Sequence, residues 1–199
     1  NINFFNKDGE WISEIIFLEK DRIEVKFLNK VKEPLKLSNI ELAICLVKKN
    51  PMETILQKAT ELGINKIIPI VSERTEVKEL NHERAKKIVI ESTEQSNQLS
   101  PPEISKIIKL KDFLKNLDGS TKLLFADVNC KDKLKVEDIK DSKSLCILVG
   151  PEGDFSISER ELILGILTVK PFMVSRNILR SDTAVISAIS LVNFINNFH

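Results

Sequence analysis

A glycine-rich segment, Gly150-Pro151-Glu152-Gly153-Asp154-Phe155, follows a short apolar run that ends at Val149. Two glycines around a proline and a glutamate allow a tight turn in which the backbone approaches a ligand closely. A helix that begins near Ser156 would add free backbone N–H groups beside the turn. The segment is not a dinucleotide fingerprint, because G-x-G-x-x-G is absent, and not a phosphate loop, because no G-K-[ST] follows. A ligand loop and an ordinary strand-to-helix turn both fit these residues.

A second segment, residues 174–184, places an apolar pair between two arginines. Its candidate residues are Val174, Ser175, Arg176, Ile178, Leu179, Arg180, Asp182 and Ala184. An apolar pair between fixed cations suits a pocket that packs a flat ring and holds a polar or anionic group. Ser181 or Asp182 could also serve only to cap the helix that follows.

Polar residues recur at three further places, residues 57–63, 72–74 and 94–96. Taken one at a time, each fits an exposed helix face or a strand end, because polar residues lie mostly at surfaces. Their spacing alone does not single them out as a site.

The elements that must position these segments alternate between strands and helices. Apolar runs predict strands at residues 40–47, 66–71, 121–126, 144–149 and 171–174. Helical spacing predicts helices at 51–62, 82–99 and about 181–194, and a further helix begins near Ser156, where Ser156 and Glu159 fit a capping box. Strands that are apolar throughout must be buried on both faces, which indicates an α/β fold with a parallel sheet. Ligands of such sheets bind at the carboxyl ends of the strands, where both candidate segments begin.

The first forty residues have a different texture. Alternation over residues 11–28 predicts a half-buried hairpin or meander, and the polar stretch 29–39, with three lysines and Pro34, predicts a linker. We therefore divide the chain into a small β-domain, residues 1–38, and an α/β domain, residues 39–199. Because Asn1 rather than Met stands first and the strands begin almost at once, we expect further residues before it.

Composition excludes several classes of protein. With 42% hydrophobic and 30% charged residues, the chain is neither disordered nor a membrane protein. The net charge of +1, with Lys and Arg spread along the chain, means that any nucleic-acid surface must be local. Cys45, Cys130 and Cys146 are widely spaced and predict free structural thiols. Since His82 and His199 are the only histidines, we expect no metal site and no histidine-dependent catalytic triad.

Five segments together resemble the 16S ribosomal RNA (uracil-N3) methyltransferases, the small-subunit methyltransferase E family of the knotted SPOUT superfamily. They are QKATELGI at 57–64, SER at 72–74, EQS at 94–96, GPEG at 150–153 and ILRSDTA at 178–184. Their order and spacing cover about three quarters of the chain, and five ordered motifs are far more specific than one.

The resemblance implies a parallel α/β domain with a C-terminal trefoil knot, preceded by part of a PUA-like RNA-binding β-barrel. It implies a cytoplasmic homodimer that transfers a methyl group from S-adenosyl-L-methionine to uracil N3, with ribosomal RNA or the small ribosomal subunit as partner and no membrane or metal involved. The donor would be held by Gly150, Pro151, Glu152, Gly153, Val174, Ser175, Ile178, Leu179 and Ala184. The RNA would be held by Arg74, Glu94, Gln95 and Arg176. Arg180 would stabilise charge on the uracil oxygens, and Asp182 or Glu152 would accept the N3 proton.

The sequence departs from the family pattern at several positions. Asp154 stands where a glycine is usual, Val174-Ser175 replace a leucine-glycine pair, Asn177 and Asn97-Gln98 replace arginines, and Asp182 replaces a glutamate. These changes affect substrate contacts more than donor contacts, since backbone groups can hold the adenine. The altered Asn177 and Asn97-Gln98 positions favour the alternative of an RNA-binding protein without methyltransferase activity. A nucleotide-dependent oxidoreductase would also fit an α/β sheet, but this chain lacks the glycine fingerprint that binds the nucleotide in such enzymes.

Overall fold

The computed structural model describes residues 2–34, 39–140 and 142–198, which form an antiparallel sheet of three strands and a parallel sheet of seven. The strands of the small sheet are β1 (Ile2–Asn6), β2 (Gly9–Leu18) and β3 (Ile23–Lys32). Those of the parallel sheet are β4 (Ile40–Cys45), β5 (Lys66–Val71), β6 (Glu103–Ile104), β7 (Ile108–Lys109), β8 (Thr121–Ala126), β9 (Ser144–Val149) and β10 (Val169–Phe172). The helices are α1 (Lys49–Glu61), α2 (His82–Gln95), α3 (Leu110–Lys115), α4 (Val136–Ile139), α5 (Ile157–Leu164) and α6 (Ser181–Phe198).

The parallel sheet has the strand order β10-β8-β9-β4-β5-β6, with β7 also paired to β5. Helices α1, α2, α4 and α6 cover one face, where Leu42 and Ile44 of β4 are fully buried. Helices α3 and α5 cover the other face, against Ala43 and Cys45 of the same strand. A parallel sheet buried on both faces confirms the predicted α/β class and explains why its strands are apolar throughout.

Several element bounds differ from the sequence predictions. Helix α2 ends at Gln95 rather than residue 99, because Asn97 adopts a left-handed backbone with φ of 53°. Strand β10 covers 169–172 rather than 171–174, β4 ends two residues earlier than predicted, and α6 is four residues longer. Strands β6 and β7 and helices α3 and α4 were not predicted, because two to six residues are too few to show a period.

The small sheet is longer and more exposed than predicted. The interpretation of residues 29–39 as a linker is wrong for its first part, since β3 continues to Lys32, which pairs with Glu10 of β2. The predicted meander is present, since β1, β2 and β3 pair in antiparallel order. The prediction that it is half-buried is wrong, because most side chains of β2 and β3 are exposed, including Ile16 (58%) and Leu18 (67%). The proposed domain boundary at residue 38 lies outside the described residues.

The structure also bears on the predictions about the cysteines, metal sites and membrane-spanning helices. Cys45 and Cys146 are buried free thiols as predicted, and Cys130 is partly exposed and also free. Within the described ranges, no group of three His, Cys, Asp or Glu side chains is arranged to hold a metal ion, and His199 lies outside those ranges. The helices that the structure describes are all too short or too polar to cross a bilayer.

Candidate active site

Three loops leave the carboxyl edge of the parallel sheet at neighbouring strands. Strand β8 lies between β9 and β10, and its last residue, Ala126, pairs with both Val149 and Phe172. The loop that begins at Gly150 therefore starts on one side of the β8 loop, and the segment 174–184 starts on the other. The structure brings the two predicted segments to the same edge of the sheet, with the β8 loop between them.

The glycine-rich loop is held by an aromatic side chain from its own end. Phe155 is buried and packs edge-to-face on Phe125, with ring centroids 5.6 Å apart. A Cβ atom at Gly150 would lie only 3.0 Å from the Phe155 ring, so any other residue there would push the ring away by a few tenths of an ångström. The N–H of Asp154 donates to the Pro151 carbonyl oxygen at 3.0 Å and closes the turn. The predicted capping box of α5 is present, with Ser156 and Glu159 each accepting from the other's backbone N–H.

Asp154 occupies a left-handed position and links two loops. Its φ is 58°, a conformation that a residue with a Cβ adopts at a cost in energy. Its carboxylate accepts from the Phe155 N–H at 2.8 Å and from the Asn129 side-chain amide at 3.3 Å. The departure from the usual glycine therefore has a structural explanation: this carboxylate joins the β9 loop to the β8 loop.

A buried ion pair lies beneath the same two loops. The Asp127 side chain, which is fully buried, accepts from Arg160 Nη2 at 2.7 Å and from Nε at 3.1 Å. It also accepts from the backbone N–H of Asn129 at 3.0 Å. The hydrogen bond with Asp127 raises the pKa of the Arg160 guanidinium, and the nearby charge of Asp154 adds to this. The pair fixes the start of the β8 loop to α5.

The segment after β5 is tied to the glycine-rich loop across the top of β4. Arg74 Nη1 donates to the Gly153 carbonyl oxygen at 3.0 Å, and the Glu73 N–H donates to the buried Glu159 carboxylate at 2.8 Å. Arg74 was predicted to bind RNA, but its guanidinium is partly occupied by this contact. Its exposed side chain retains N–H donors that face solvent.

The loop after β10 borders a small cleft. Its walls are Ala126, Asp127, Val128, Val174, Ser175, Arg176, Asn177, Ile178, Leu179 and Ala184. Gly150 to Gly153 are not among its wall residues. The volume is about 70 Å³, whereas small-molecule sites typically enclose about 300–1,000 Å³. A ligand of nucleoside size therefore requires the walls to move apart.

The predicted ring-packing pair is divided in the structure. Leu179 is half-buried, but 93% of the Ile178 surface is exposed at the cleft mouth. Arg176 and Arg180, which flank this pair in sequence, are both exposed. Glu152 in the glycine-rich loop is exposed as well. Asp182 lies in the first turn of α6, where its carboxylate accepts from the Thr183 N–H at 2.8 Å.

Glu94 and Gln95 lie away from these loops. They line a groove between α1 and α2 together with Gln57. The chain leaves α2 to enter β6, whose Glu103 pairs with Lys66 at the start of β5, so this end of α2 lies at the opposite edge of the sheet. Lys32 of the small sheet donates to the Asn97 carbonyl oxygen close by. The four predicted RNA-binding residues are therefore not brought together within one chain.

The site includes residues that sequence reasoning missed, namely Asp127, Asn129 and Arg160. A signal for Asp127 was available, because it directly follows a predicted apolar strand, as Gly150 does. Asn129 and Arg160 carried no comparable signal, because polar residues of these types usually lie at the surface. Their acidic partners, Asp154 and Asp127, are distant in sequence.

Comparison with known proteins places the chain in a family. Residues 32–193 match the model of the RNA methyltransferase domain. Ribosomal RNA small subunit methyltransferase E of Rickettsia conorii is 34% identical over 197 residues, which cover 98% of this chain and 80% of the relative. The enzyme of the same name from Aquifex aeolicus is 37% identical over 149 residues, 72% of this chain and 63% of the relative.

A solved structure agrees with these matches. Ribosomal RNA small subunit methyltransferase E of Neisseria gonorrhoeae, bound to S-adenosyl methionine, is 28% identical with a TM-score of 0.86. The match covers 98% of this chain and 83% of that one. The chain belongs to the ribosomal RNA small subunit methyltransferase E family.

Two residues that differ from the methyltransferase E family pattern, Gln98 and Asp154, make contacts that the structure explains. The amide of Gln98, in the stretch where the family pattern has an arginine, donates to the carbonyl oxygens of Thr60 and Glu61 and ties the end of α2 to α1. Asp154 ties the glycine-rich loop to the β8 loop, as described above. Both replacements therefore make structural contacts in this chain.

Proposed function

We propose that this chain is a methyltransferase that uses S-adenosyl-L-methionine to methylate N3 of a uracil in 16S ribosomal RNA. The observation that carries the proposal is the convergence of the glycine-rich loop, the β8 loop and the segment 174–184 at one edge of a family domain. The Neisseria relative, which is similar over nearly the whole chain, binds the same methyl donor.

The residues at this edge suit such a donor. Gly150 and Gly153 leave backbone accessible, and a Cβ at Gly153 would meet only the Arg74 side chain, at 3.7 Å. Backbone groups of Val174, Ser175 and Ile178, with Leu179 and Ala184, supply an aliphatic wall with polar backbone donors and acceptors. Pro151 and Glu152 lie outside the small cleft, in the glycine-rich loop at the same edge of the sheet, and would contact the donor once the cleft walls have moved apart. When bound, the donor supplies an electrophilic methyl group.

The chain's own residues must then orient the base and remove a proton. Uracil N3 lies on the pairing edge, so the base must be unpaired or extruded before it reaches the site. The Arg180 guanidinium, exposed at the rim, would stabilise charge that develops on the uracil oxygens. Asp182, in the first turn of α6, or Glu152, in the glycine-rich loop, would accept the N3 proton.

The RNA contacts in this proposal come from Arg176 at the rim, Arg74 beside Gly153, and Glu94 with Gln95 at the α1–α2 groove. The separation of the last two from the rim is consistent with a homodimer in which one RNA spans two protomers. We propose this dimer as the active unit, acting in the cytoplasm on ribosomal RNA or the small subunit.

Two architectural features complete the proposal, a C-terminal trefoil knot and a partial PUA-like barrel over residues 1–38. The knot is supported by the path of the chain after β10. The Met173 N–H donates to the Asp132 carbonyl oxygen at 2.7 Å, and α6 then contacts α4, β9 and α1, back across the sheet. That path passes the segment between β8 and α4, as a threaded chain end would.

The proposal is tested by incubating the protein with unmodified 16S ribosomal RNA and labelled donor, then digesting the RNA to nucleosides for mass spectrometry. We expect one 3-methyluridine per RNA. Arg180→Ala should lower kcat by about 100-fold or more with donor affinity unchanged. Arg176→Ala is the matched control and should raise KM for RNA instead. RNA binding without any methylated nucleoside would support the alternative, an RNA-binding protein on this fold.

A further inference from the structure

The segment that follows β8, residues 131–135, presents three lysines beside the cleft. Lys131, Lys133 and Lys135 alternate with Asp132 and Leu134 in a stretch without regular secondary structure. Leu134 is buried in the core, while all three lysine side chains are exposed. Asp132 is exposed as well, and the burial of Leu134 keeps its neighbours Lys133 and Lys135 at the surface.

The segment is fixed at the cleft rather than free to move away from it. The Cys130 N–H donates to the carbonyl oxygen of Asp127, a wall residue, at 3.1 Å. At the other side, the Asp132 carbonyl oxygen accepts from the N–H of Met173, which directly precedes the wall residue Val174. The three lysines therefore border the cleft on the side of β8 and β10.

Two exposed acids, Asp132 and Glu137, lie in or directly beside the same stretch, but neither forms an ion pair with the lysines. Among the described residues, no carboxylate forms an ion pair with Lys131, Lys133 or Lys135. Asp138, a nearby acid, is already paired with Lys170 at 3.0 Å. Arg176, a wall residue of the cleft, and Arg180, which follows the wall residue Leu179, are exposed and add positive charge nearby.

We propose that Lys131, Lys133 and Lys135 form a phosphate-contacting surface that holds the RNA strand flanking the base delivered to the cleft. This proposal rests on the proposed function and assigns the surface that contacts the RNA strand. Such a local surface is not apparent from the overall net charge of +1. Three exposed cations without ion-pair partners in one short segment fit a polyanion, because each phosphate contact releases counterions and favours binding. Sequence reading missed the surface because the lysines are three among many spread along the chain.

The test is the salt dependence of RNA binding, measured by filter binding of unmodified 16S ribosomal RNA over a series of KCl concentrations. The triple variant Lys131→Gln, Lys133→Gln, Lys135→Gln should bind about tenfold more weakly at moderate salt, with a log–log salt slope smaller by about 2–3. Affinity for S-adenosyl-L-methionine, from calorimetry, should not change. The double variant at 131 and 133 leaves the start of α4 intact and should show most of the effect.

The matched control removes the same charge elsewhere. Lys106, Lys111 and Lys115 are exposed around β7 and α3, at the opposite end of the strand order from β8 and β10. Their triple glutamine variant should change the salt slope by less than about 1. Equal slopes for the two triple variants would overturn the proposal. If the unaltered protein binds no RNA, the proposed function itself fails, which is a different result.

Discussion

The side chain of Asp154 acts on the backbone of its own loop and on a neighbouring loop. Its left-handed φ of 58° would suit glycine, yet its carboxylate gains hydrogen bonds to the Phe155 N–H and the Asn129 amide that glycine cannot make. These contacts offset the backbone cost and hold the glycine-rich loop against the β8 loop.

Replacing Asp154 separates the two contributions. Asp154→Ala loses both hydrogen bonds and keeps the unfavourable φ, so it should lower the free energy of unfolding by about 1–3 kcal/mol. Asp154→Asn keeps an acceptor oxygen and tolerates the left-handed region, so it should cost less than about 1 kcal/mol. Urea unfolding of both variants measures the difference. Equal stability of the alanine and asparagine variants would contradict this role.

At the scale of elements, the Asp127–Arg160 pair connects the end of β8 to α5 beneath the glycine-rich loop. The Asp127 carboxylate is fully buried and accepts hydrogen bonds from three N–H groups. Removing these partners would leave a buried charge uncompensated and would destabilise the fold. The two elements are not adjacent in sequence, and the pair fixes how the β8 and β9 loops meet.

Arg160→Leu should therefore lower the free energy of unfolding by about 3 kcal/mol, the lower end of the range for buried pairs, since 34% of the Arg160 side chain is exposed. Adding Asp127→Asn in the same chain should recover part of this loss, because a neutral amide is less costly to leave without the guanidinium. A double-mutant cycle by urea unfolding measures the recovery. A double variant less stable than Arg160→Leu would refute the explanation.

The strands that are apolar throughout followed from the sequence, and the short or polar elements did not. Strands 66–71, 121–126 and 144–149 were predicted to the residue, because runs apolar on both faces have few alternatives. The extension of β3 to Lys32 was missed because its stability comes from pairing with β2 rather than from its own residues. The early end of α2 depends on one left-handed residue, Asn97, which carries no periodic signal.

At the scale of the whole molecule, the family motifs identified the loops of the candidate site but not the contacts between them. The glycine-rich loop and the segment 174–184 were found because each follows an apolar strand. The ties through Asn129, Arg160 and Arg74 could not be predicted, since each joins residues far apart in sequence. The exposure of Ile178 was missed because an apolar pair in a loop suggests burial.

Burial of the parallel sheet under helices on both faces also lowers the reactivity of its two cysteines. Burial raises the pKa of Cys45 to about 12, despite hydrogen bonds from Ser72 and Thr75, and burial also raises the pKa of Cys146. A raised pKa keeps a thiol protonated, so at pH 8 only about one Cys45 in ten thousand is the reactive thiolate.

Native labelling with iodoacetamide at pH 8 should therefore modify Cys130 and leave Cys45 and Cys146 unmodified, whereas labelling in urea should modify all three. Mass spectrometry of peptides identifies the sites. Rapid native labelling of Cys45 or Cys146 would mean that the packing of the sheet against its helices is wrong.

The central claim is that the edge of the sheet formed by the β8, β9 and β10 loops holds the methyl donor. Isothermal titration of S-adenosyl-L-methionine into the unaltered protein and into Gly153→Val tests it most directly. We expect saturable binding by the unaltered protein and at least a tenfold loss in the variant, because side-chain bulk would block the close backbone approach. Circular dichroism should show the variant folded, since a Cβ at Gly153 meets nothing closer than 3.7 Å. No binding by a demonstrably folded protein, or equal binding by the two, would contradict the claim.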